Sequence, residues 1–502
     1  METDTEITKG IQSQFKIKRQ MVLQRIREFS LVIGENTLEL VAYLLAMIFV
    51  ERALGQEGLG VYSYLLSLFM IGGYVTEFGV PMYVEQEIPV NKAREDEIVK
   101  DAFQATIMLG LLCVGVSFFT GAYDAAHTRV QEKAVAYLIV GMSIPFRNLN
   151  RLRMAILHGQ GRHDDVAKVE TYKRLAFLGA ILVLLLFRVP ASYLVISFLT
   201  TELFALVLAA KKAPMPPMKH AWKNRHRLRH TLKKTQRFLF TDDAFDIVLY
   251  VDFLVLGLYV SSRELGVYAE ASILARFFLI VPMSIRPIFR HRYCVLSTEA
   301  ASSEVSRMLH RTTAILFYLH SILALYIVLY FVPILQTFFH TRGETLIAYK
   351  LFIVIVPGLL FYSSVTASDA IYECENRIDS LRSMIVIIAV VNLVLNFYLV
   401  PFAGFFGAAT ATMISMLLYF LLFGLKLAQP YRPEKTSYLL AGGCVYLTYV
   451  LIHFVDAGWA LSLCLVPIVL FVLFFFMGFF NLEDHAPATM SGSHGTNLLG
   501  EG

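Results

Sequence analysis

Long apolar stretches, most of them about 20 residues, follow one another along the sequence and are separated by short polar segments. A helix needs about 20 predominantly apolar residues to cross the roughly 30 Å hydrocarbon core of a bilayer. We therefore predict fourteen membrane-spanning helices, at residues 29–50, 58–80, 101–121, 135–157, 172–188, 191–210, 240–260, 266–288, 312–335, 347–369, 380–400, 405–426, 437–455 and 459–479. The composition agrees with a membrane protein, since 57% of the residues are hydrophobic and 17% charged, against about 45–50% and about 25% in soluble domains. A count of twelve or thirteen stays open, because only the turn at Arg188–Pro190 separates the fifth helix from the sixth.

The basic residues set the orientation, because Lys and Arg accumulate in the cytoplasmic loops of membrane proteins. With the N-terminus inside, 36 of the 44 Lys and Arg residues fall on the cytoplasmic side, 7 fall on the opposite side, and Arg276 stays within a helix. The sequence therefore predicts a multi-pass protein of a cytoplasmic membrane with both termini in the cytoplasm.

Two short sequence echoes indicate an internal repeat. Leu59–Tyr62 and Leu265–Tyr268 are both Leu-Gly-Val-Tyr, and Phe187–Pro190 resembles Tyr398–Pro401. The offsets of 206 and 211 residues are similar, and the echoes occur in the same order. Each unit would contain six helices, so both enter the membrane from the same side and are related by an axis along the membrane normal. The sequence thus predicts two pseudo-symmetric six-helix lobes that face each other across a central cavity.

We predict an all-α fold with the following organisation: a basic cytoplasmic leader at 1–28, an N-terminal lobe at 29–210, a basic cytoplasmic linker at 211–239, a C-terminal lobe at 240–428, two extra transmembrane helices at 429–480, and a disordered cytoplasmic tail at 481–502. The leader alternates apolar and basic residues, which is typical of a helix on an anionic membrane surface. A plain basic flank explains the same pattern, and both interpretations stay open.

Ionisable side chains fall near the middle of several predicted helices. Such groups cost several kcal/mol in a bilayer unless they have a partner or a hydrated cavity. They are Glu39, Arg147, Glu202, Asp252 and Arg276. The sequence therefore predicts polar contacts or water at the centre of the molecule.

Two interpretations of the buried arginines stay open. The guanidinium group matches phosphate oxygens, so Arg276 and Arg147, with Arg151 and Asn148, are predicted to bind an anionic headgroup. Alternatively, Arg276 pairs with Glu39 or Asp252 and locks the two halves together. The two roles are compatible, because a substrate can break an ion pair that closes a gate.

The buried acids suggest ion coupling. Glu35 lies one turn before Glu39 on the same helix face, and with Asp252 and Glu202 they are predicted to couple transport to Na⁺ or H⁺ or to act as a gate. Asp242, Asp243 and Asp246 fall at a cytoplasmic helix end and are expected to be solvated at the interface.

No pattern predicts catalysis, a metal site or a cofactor. The five cysteines form no Cys-x-x-Cys pair and are expected to be isolated, small apolar residues. The Gly404–Ala409 run lacks the preceding strand and the lysine of a nucleotide-binding loop. The sequence therefore favours a transporter over an enzyme.

Several segments resemble the polysaccharide and O-antigen flippases of the multidrug/oligosaccharidyl-lipid/polysaccharide exporter superfamily. They are Asn392–Pro401 with Gly404, Gly407 and Ala408–Thr412, together with Ala53–Tyr62, Phe78–Val80, and Asp252 with Gly266–Ala269. The resemblance covers about residues 25 to 430. It implies two six-helix lobes, a basic central cavity and an undecaprenyl-diphosphate-type substrate whose sugar moves from the cytoplasmic to the outer face.

The resemblance also implies functional arginines in helices one and eight. Arg276 matches the position in helix eight, whereas helix one here has Glu35 and Glu39 instead. This departure leaves room for cation coupling through the two carboxylates.

We predict from these features a flippase for a polyprenyl-diphosphate oligosaccharide, working by alternating access in polysaccharide biosynthesis. A cation-coupled drug or metabolite antiporter of the same fold is the main alternative, and a membrane-embedded polysaccharide polymerase or acyltransferase is a weaker one. The expected partners are the lipid-linked oligosaccharide, membrane lipids and polysaccharide polymerase or export machinery, with no nucleic acid.

Overall fold

The structure is a computed structural model that describes residues 2–128, 131–214, 225–239, 244–276, 278, 280–298, 302–339, 344–366, 368–375 and 377–427. Over these ranges the chain forms helices and short connections, without a β-strand. The α-helices are α1 Glu2–Glu77, α2 Val80–Val90, α3 Glu95–Thr128, α4 Gln131–Gly159, α5 His163–Leu186, α6 Ile196–Lys212, α7 Arg225–Thr235, α8 Ala244–Tyr259, α9 Ser262–Arg276, α10 Ile280–Thr298, α11 Ser302–Phe338, α12 Thr345–Thr366, α13 Ala370–Cys374 and α14 Ile378–Lys426. Short 3₁₀ helices form at Lys92–Arg94, Ala191–Val195 and Gln236–Phe238. The predicted all-α class is confirmed.

Some predictions lie outside the described residues. The side chains of α1 are described from Thr37 onwards, so the interactions of Glu35 lie outside them. The same holds for Asp242 and Asp243, for the predicted helices at 437–455 and 459–479, and for the predicted tail.

Two of the long helices contain a glycine at which the backbone leaves helical geometry. Gly55 in α1 has φ 72° and ψ −177°, and Gly404 in α14 has φ 54° and ψ −133°. Glycine adopts positive φ at little cost because it has no Cβ atom. Gly55 lies at the predicted turn between the first and second membrane-spanning helices, and Gly404 at the one between the eleventh and twelfth. Helix α1 therefore contains the first two predicted spanning helices, and α14 contains the eleventh and twelfth.

The predicted helix at 266–288 is described in two parts, because residues 277 and 279 lie outside the described residues. Helix α9 ends at Arg276, and α10 begins at Ile280. Both parts belong to one apolar helical stretch, Ser262–Arg286, that is long enough to cross a membrane. This stretch agrees with the predicted helix.

The described part of the chain contains six helical stretches that are long and apolar enough to cross a membrane. They are Lys92–Tyr123, Ala191–Lys212, Ser262–Arg286, Ser303–Phe338, Thr345–Cys374 and Ile378–Lys426. The protein is a multi-pass membrane protein. The number of crossings stays a prediction.

The two Leu-Gly-Val-Tyr segments lie against each other where α1 crosses α9. A Cβ atom on Gly60 would overlap the carbonyl oxygen of Ser262, and a Cβ atom on Gly266 would overlap that of Gln56. Ser262 and Gln56 are separated by the same 206 residues as the two glycines. Reciprocal contacts of this kind are what a twofold relation between two halves produces.

The predicted basic linker contains a helix that the sequence analysis missed. The apolar side chains of α7, Leu228 and Leu232, pack on a cluster that includes Val84, Ile88 and Leu157. Its exposed face is basic and includes Arg227 and Arg229. Helix α7 therefore covers one end of the N-terminal half instead of forming an unstructured connection.

Two cysteines pair, contrary to expectation. Cys294 of α10 and Cys374 of α13 form a disulfide whose Cα atoms are 4.8 Å apart. The expectation of isolated cysteines is wrong for these two, because helix packing brings together positions separated by 80 residues. Sequence spacing contained no signal for this pairing.

Candidate functional site

A cavity of about 560 Å³ lies between the two halves and is called the central cavity here. Its lining residues come mostly from α1, α2, α4, α5 and α6 in the N-terminal half, and the C-terminal half contributes Asp246, Tyr250, Arg276 and Met283. Charged groups and aromatic rings alternate along its wall. This places a polar chamber inside an apolar helical protein.

Arg276 is held at the wall of the central cavity by contacts with both halves. Its Nη1 atom lies 2.6 Å from Oδ1 of Asp246. Its guanidinium carbon lies 4.5 Å from the ring centroid of Tyr250 and 5.1 Å from that of Tyr43, which is within cation–π range. The Tyr74 hydroxyl donates to Oδ2 of Asp246 over 3.1 Å. Asp246 therefore joins α1 of the first half to Arg276 of the second.

These contacts correct two expectations about charge pairing. Asp246 is not merely solvated at an interface, because it accepts hydrogen bonds from both Tyr74 and Arg276. The partner of Arg276 is Asp246, and neither Glu39 nor Asp252 occupies that position. The ion pair of Arg276 lies within the C-terminal half, and Tyr43 and Tyr74 supply the contacts with the N-terminal half.

Glu77 bridges the two candidate arginines of α4. Arg147 Nη1 lies 3.2 Å from its Oε2 atom, and Arg151 Nε lies 3.1 Å from its Oε1 atom. Gly73 is required beside them, because a Cβ atom there would overlap the guanidinium of Arg147. Asn148 accepts a hydrogen bond from Nη1 of Arg147 over 3.4 Å and donates to the Thr76 hydroxyl over 2.8 Å. Arg147 and Arg151 thus line the central cavity, whereas Asn148 packs between α4 and α1.

Two further ion pairs hold α5 to its neighbours. Lys173 Nζ lies 3.0 Å from Oε1 of Glu202, and Asn150 Nδ2 donates to Oε2 of the same carboxylate over 2.7 Å. Arg174 Nη2 lies 2.7 Å from Oε2 of Glu39. Glu39 and Glu202 both line the central cavity. The sequence analysis located the two acids but did not identify Lys173 and Arg174 as their partners.

Glu85 adds a negative charge at the α2 side of the central cavity. Its Oε2 atom lies 3.6 Å from Nδ1 of His158. Burial raises the pKa of the Glu85 carboxyl. The hydrogen bond with His158 and the charges of His158, Arg290 and Arg151 together lower this pKa by more than burial raises it, so the pKa lies below its usual range. Glu85 is therefore ionised near neutral pH.

Asp252 lies in a separate polar cluster between α8, α9 and α14, and its side chain is fully buried. Its carboxylate accepts hydrogen bonds from Tyr268 over 2.5 Å, from Asn396 over 2.7 Å, from Asn392 over 3.3 Å, and from Thr412. The amide oxygens of Asn392 and Asn396 have no hydrogen-bond partner within the described part of the chain. Buried polar atoms normally have hydrogen-bond partners. These two amide oxygens can therefore accept a hydrogen bond or bind a cation.

A second charged cluster, which the sequence analysis missed, lies in the C-terminal half. Arg286 pairs with Asp369 at 3.0 Å and with Glu373 at 2.7 Å, and Arg290 pairs with Glu373 at 2.9 Å. The two arginines are four residues apart, as are the two acids. That spacing puts each pair on one helix face and was the available signal.

Comparison with solved structures identifies the fold. The chain resembles "Lipid II flippase MurJ, inward closed conformation" with a TM-score of 0.65 and 17% identity, covering 90% of this chain and 99% of that one. It resembles an inward-facing multidrug resistance MATE family transporter of the MOP superfamily with a TM-score of 0.61 and 12% identity, covering 84% and 98%. A MOP superfamily transporter from Pyrococcus furiosus matches with a TM-score of 0.55 and 10% identity, covering 84% of this chain and 95% of that one. The fold is therefore that of the MOP-superfamily transporters.

The sequence itself gives the family. No curated protein matches it, but the model of the polysaccharide biosynthesis protein family matches residues 28–290, just over half of the chain. The chain belongs to this family. The predicted resemblance is confirmed.

Proposed function

We propose that this protein is a flippase that moves a polyprenyl-diphosphate oligosaccharide across the cytoplasmic membrane by alternating access, for polysaccharide biosynthesis. The observation that most supports the proposal is the central cavity, which offers charged and aromatic side chains between two halves of a family member with the MOP-superfamily fold. Aromatic rings present apolar faces to a sugar, and the charged groups meet its phosphates and hydroxyls. The protein would move the substrate across the membrane without changing it chemically.

In this mechanism the diphosphate competes with Asp246 for Arg276. The guanidinium fork matches two phosphate oxygens better than a single carboxylate oxygen. Removing Asp246 from Arg276 also loosens the contact with Tyr74, which belongs to the other half. Substrate binding would thereby weaken one of the contacts that keep the two halves together and favour the change of access. Arg147 and Arg151 are proposed to contact the same headgroup from α4.

We propose that cation coupling involves Asp252. A fully buried carboxylate with surrounding hydroxyl and amide oxygens provides the hard oxygen ligands that Na⁺ or a proton requires. Glu39 and Glu202 are proposed gating residues, because each forms an ion pair with α5 at the wall of the central cavity. The second candidate function, a cation-coupled exporter of a soluble drug or metabolite, is favoured by this same Asp252 cluster.

The proposed setting is a cytoplasmic membrane with both termini in the cytoplasm. The strong excess of basic residues on one side of the predicted topology supports this orientation. Lipid-linked oligosaccharide is the proposed substrate, and a polysaccharide polymerase that uses the delivered lipid is a proposed partner.

A reconstituted-vesicle assay tests the function. Purified protein is incorporated into liposomes with a fluorescently tagged polyprenyl-diphosphate sugar, and label on the far leaflet is measured with an impermeant quencher. We expect protein-dependent translocation, which Arg276→Ala abolishes and Arg263→Ala leaves intact, because Arg263 is an exposed residue that pairs with Glu344 away from the central cavity. Absence of translocation by folded protein with several lipid-linked sugars, combined with cation-driven export of a soluble compound, would establish the second function instead.

A further inference from the structure

The central cavity is not basic, although its proposed substrate is an anion. Its described lining residues include six carboxylates: Glu39, Glu77, Glu85, Glu170, Glu202 and Asp246. They include five permanent cations: Arg147, Arg151, Lys173, Arg174 and Arg276. The formal charge of these groups is therefore slightly negative when His158 is neutral.

Each of the five cations already has a carboxylate partner. The pairs are Arg147–Glu77, Arg151–Glu77, Lys173–Glu202, Arg174–Glu39 and Arg276–Asp246. A buried charge without a partner is expensive. A diphosphate that binds one of these cations would displace the carboxylate partner of that cation. The cavity would then hold more negative charges, from the diphosphate and the displaced carboxylate, than its five cations can compensate.

One lining carboxylate is much more open than the others. The Glu39 side chain is 63% exposed, and Oε2 is the only one of its oxygens that accepts from a described residue. The Glu85 side chain is 40% exposed, and the remaining acids are exposed by 23% or less. Glu39 therefore has room to accept a donor from a bound molecule.

Glu39 is also adjacent to the proposed phosphate position. It lies four residues before Tyr43, about one helical turn or 5.4 Å along α1. The Tyr43 ring covers the guanidinium of Arg276. The Nη2 atom of Arg276 is a buried donor that has no acceptor among the described residues. Glu39 and Arg276 thus line the same cavity, where Glu39 can accept from a positively charged group and Arg276 can donate to a phosphate.

We infer that the translocated headgroup carries a free amino group on the sugar next to the diphosphate, with the ammonium bound by Glu39 and the phosphate by Arg276. This inference rests on the proposed flippase function and defines its substrate class as amino-sugar lipids. Such a headgroup brings its own positive charge and compensates the carboxylates of the cavity.

The test compares two lipid-linked disaccharides in the vesicle assay. They have the same fluorescent outer sugar and differ only in the inner sugar, whose amine is either free or acetylated. We expect the free amine to be translocated about tenfold faster, since a hydrogen bond between charged groups is of that strength. Glu39→Gln should bring the ratio of the two rates close to one, and Glu39→Asp, which keeps the charge, should preserve the preference.

A matched control uses another glutamate of α1. Glu57→Gln should keep the full preference, because Glu57 is exposed and does not line the central cavity. Equal or faster translocation of the acetylated lipid by the unaltered protein would overturn the inference and leave the flippase function in place. Absence of translocation for both lipids would overturn the function itself. A preference that survives Glu39→Gln would overturn the assignment of the amine to Glu39.

Discussion

The backbone of Gly60 lies directly against that of Gly266, and each glycine contacts the residue four positions before the other one. Gly60 faces the carbonyl of Ser262, and Gly266 faces the carbonyl of Gln56. Small residues at helix crossings allow such close backbone approach inside membranes. In addition, Gln56 donates from Nε2 to Oε1 of Glu270 over 3.2 Å. This contact joins the two halves on the side that the topology predicts to be outside.

Contacts at two depths therefore connect the two halves. Helix α1 packs on α9 at the glycines, and Tyr43 and Tyr74 of α1 contact the Arg276–Asp246 pair. The glycine contact is near the start of α9, and the Arg276–Asp246 pair is at its end, ten residues or about 15 Å further along the helix. A transporter that alternates access must break the contacts on one side of its substrate while those on the other side hold. We expect the glycine contact to close the outer side while the Arg276–Asp246 pair responds to substrate.

Gly60→Ala should weaken the closed outer contact. The added methyl group has no space against the Ser262 carbonyl, and overpacking of this kind costs about 1–3 kcal/mol. We expect a lower melting temperature in detergent. We also expect faster labelling by an impermeant maleimide in a Glu57→Cys background, because the outer side opens more often.

Gly115→Ala provides the matched control for that substitution. Nothing lies within 4 Å of a Cβ atom at Gly115, and alanine is the better helix former. Its melting temperature should stay unchanged or rise slightly, with the labelling rate unaffected. Equal effects of the two substitutions would show that the Gly60 contact does not control opening.

A double-mutant cycle at Arg276 and Asp246 should distinguish the effect of this pair on thermal stability from its effect on transport. Arg276→Gln leaves the partly buried Asp246 without its cation, which we expect to cost less than the about 3–5 kcal/mol of a fully buried pair. Adding Asp246→Asn removes the uncompensated charge and should recover most of the lost thermal stability. Transport should stay abolished in the double variant, since the proposed phosphate ligand is still missing. Recovery of transport together with stability would assign Arg276 a purely structural role.

Helices and turns could be predicted from the sequence more fully than contacts between side chains. The apolar stretches located most helices, and Gly55 and Gly404 were correctly predicted to lie at turns, because length and local conformation are encoded locally. The reciprocal contact of Gly60 with Gly266 was foreshadowed by the repeated Leu-Gly-Val-Tyr segment.

The hydrogen-bond and ion-pair partners of a side chain were harder to predict than its depth in the membrane. Asp252 was recognised as a buried acid, but the sequence analysis used Asn392 and Asn396 only for family resemblance and did not expect them to donate to it. Their spacing of four residues on an apolar helix was the available clue. The partner of Arg276 was misassigned, because Asp246 is 30 residues away and only the packing of α8 on α9 brings the two side chains together.

Glu77→Gln should destabilise the N-terminal half. Glu77 is the shared partner of Arg147 and Arg151, and both it and Arg147 are buried. Loss of its charge leaves Arg147 uncompensated, which we expect to cost about 3 kcal/mol and to lower the melting temperature clearly. Glu97→Gln is the control, because its pair with Arg94 is exposed and should contribute less than about 1 kcal/mol. A similar small effect of both substitutions would show that water compensates Arg147 in the central cavity.

Asp252→Asn should uncouple transport from its driving cation. The substitution preserves the shape of the side chain and leaves partners for the amides of Asn392 and Asn396 and for Thr412, so the fold should hold. Without the negative charge, however, the cluster loses the group that would attract Na⁺ or take up a proton. We expect the rate of translocation to lose its dependence on the Na⁺ or pH gradient and to approach the rate seen without a gradient.

Two comparisons make this last prediction specific. Asp379→Asn removes an exposed carboxylate that pairs with Arg382 at the start of α14 and should leave the gradient dependence intact. Glu35→Gln with Glu39→Gln tests the coupling role that the sequence assigned to helix one. Loss of gradient dependence in this double variant, with full dependence in Asp252→Asn, would move the coupling site from the Asp252 cluster to α1. The opposite pattern would leave Glu39 available for contact with the substrate, because a carboxylate that binds the coupling cation cannot at the same time hold the headgroup.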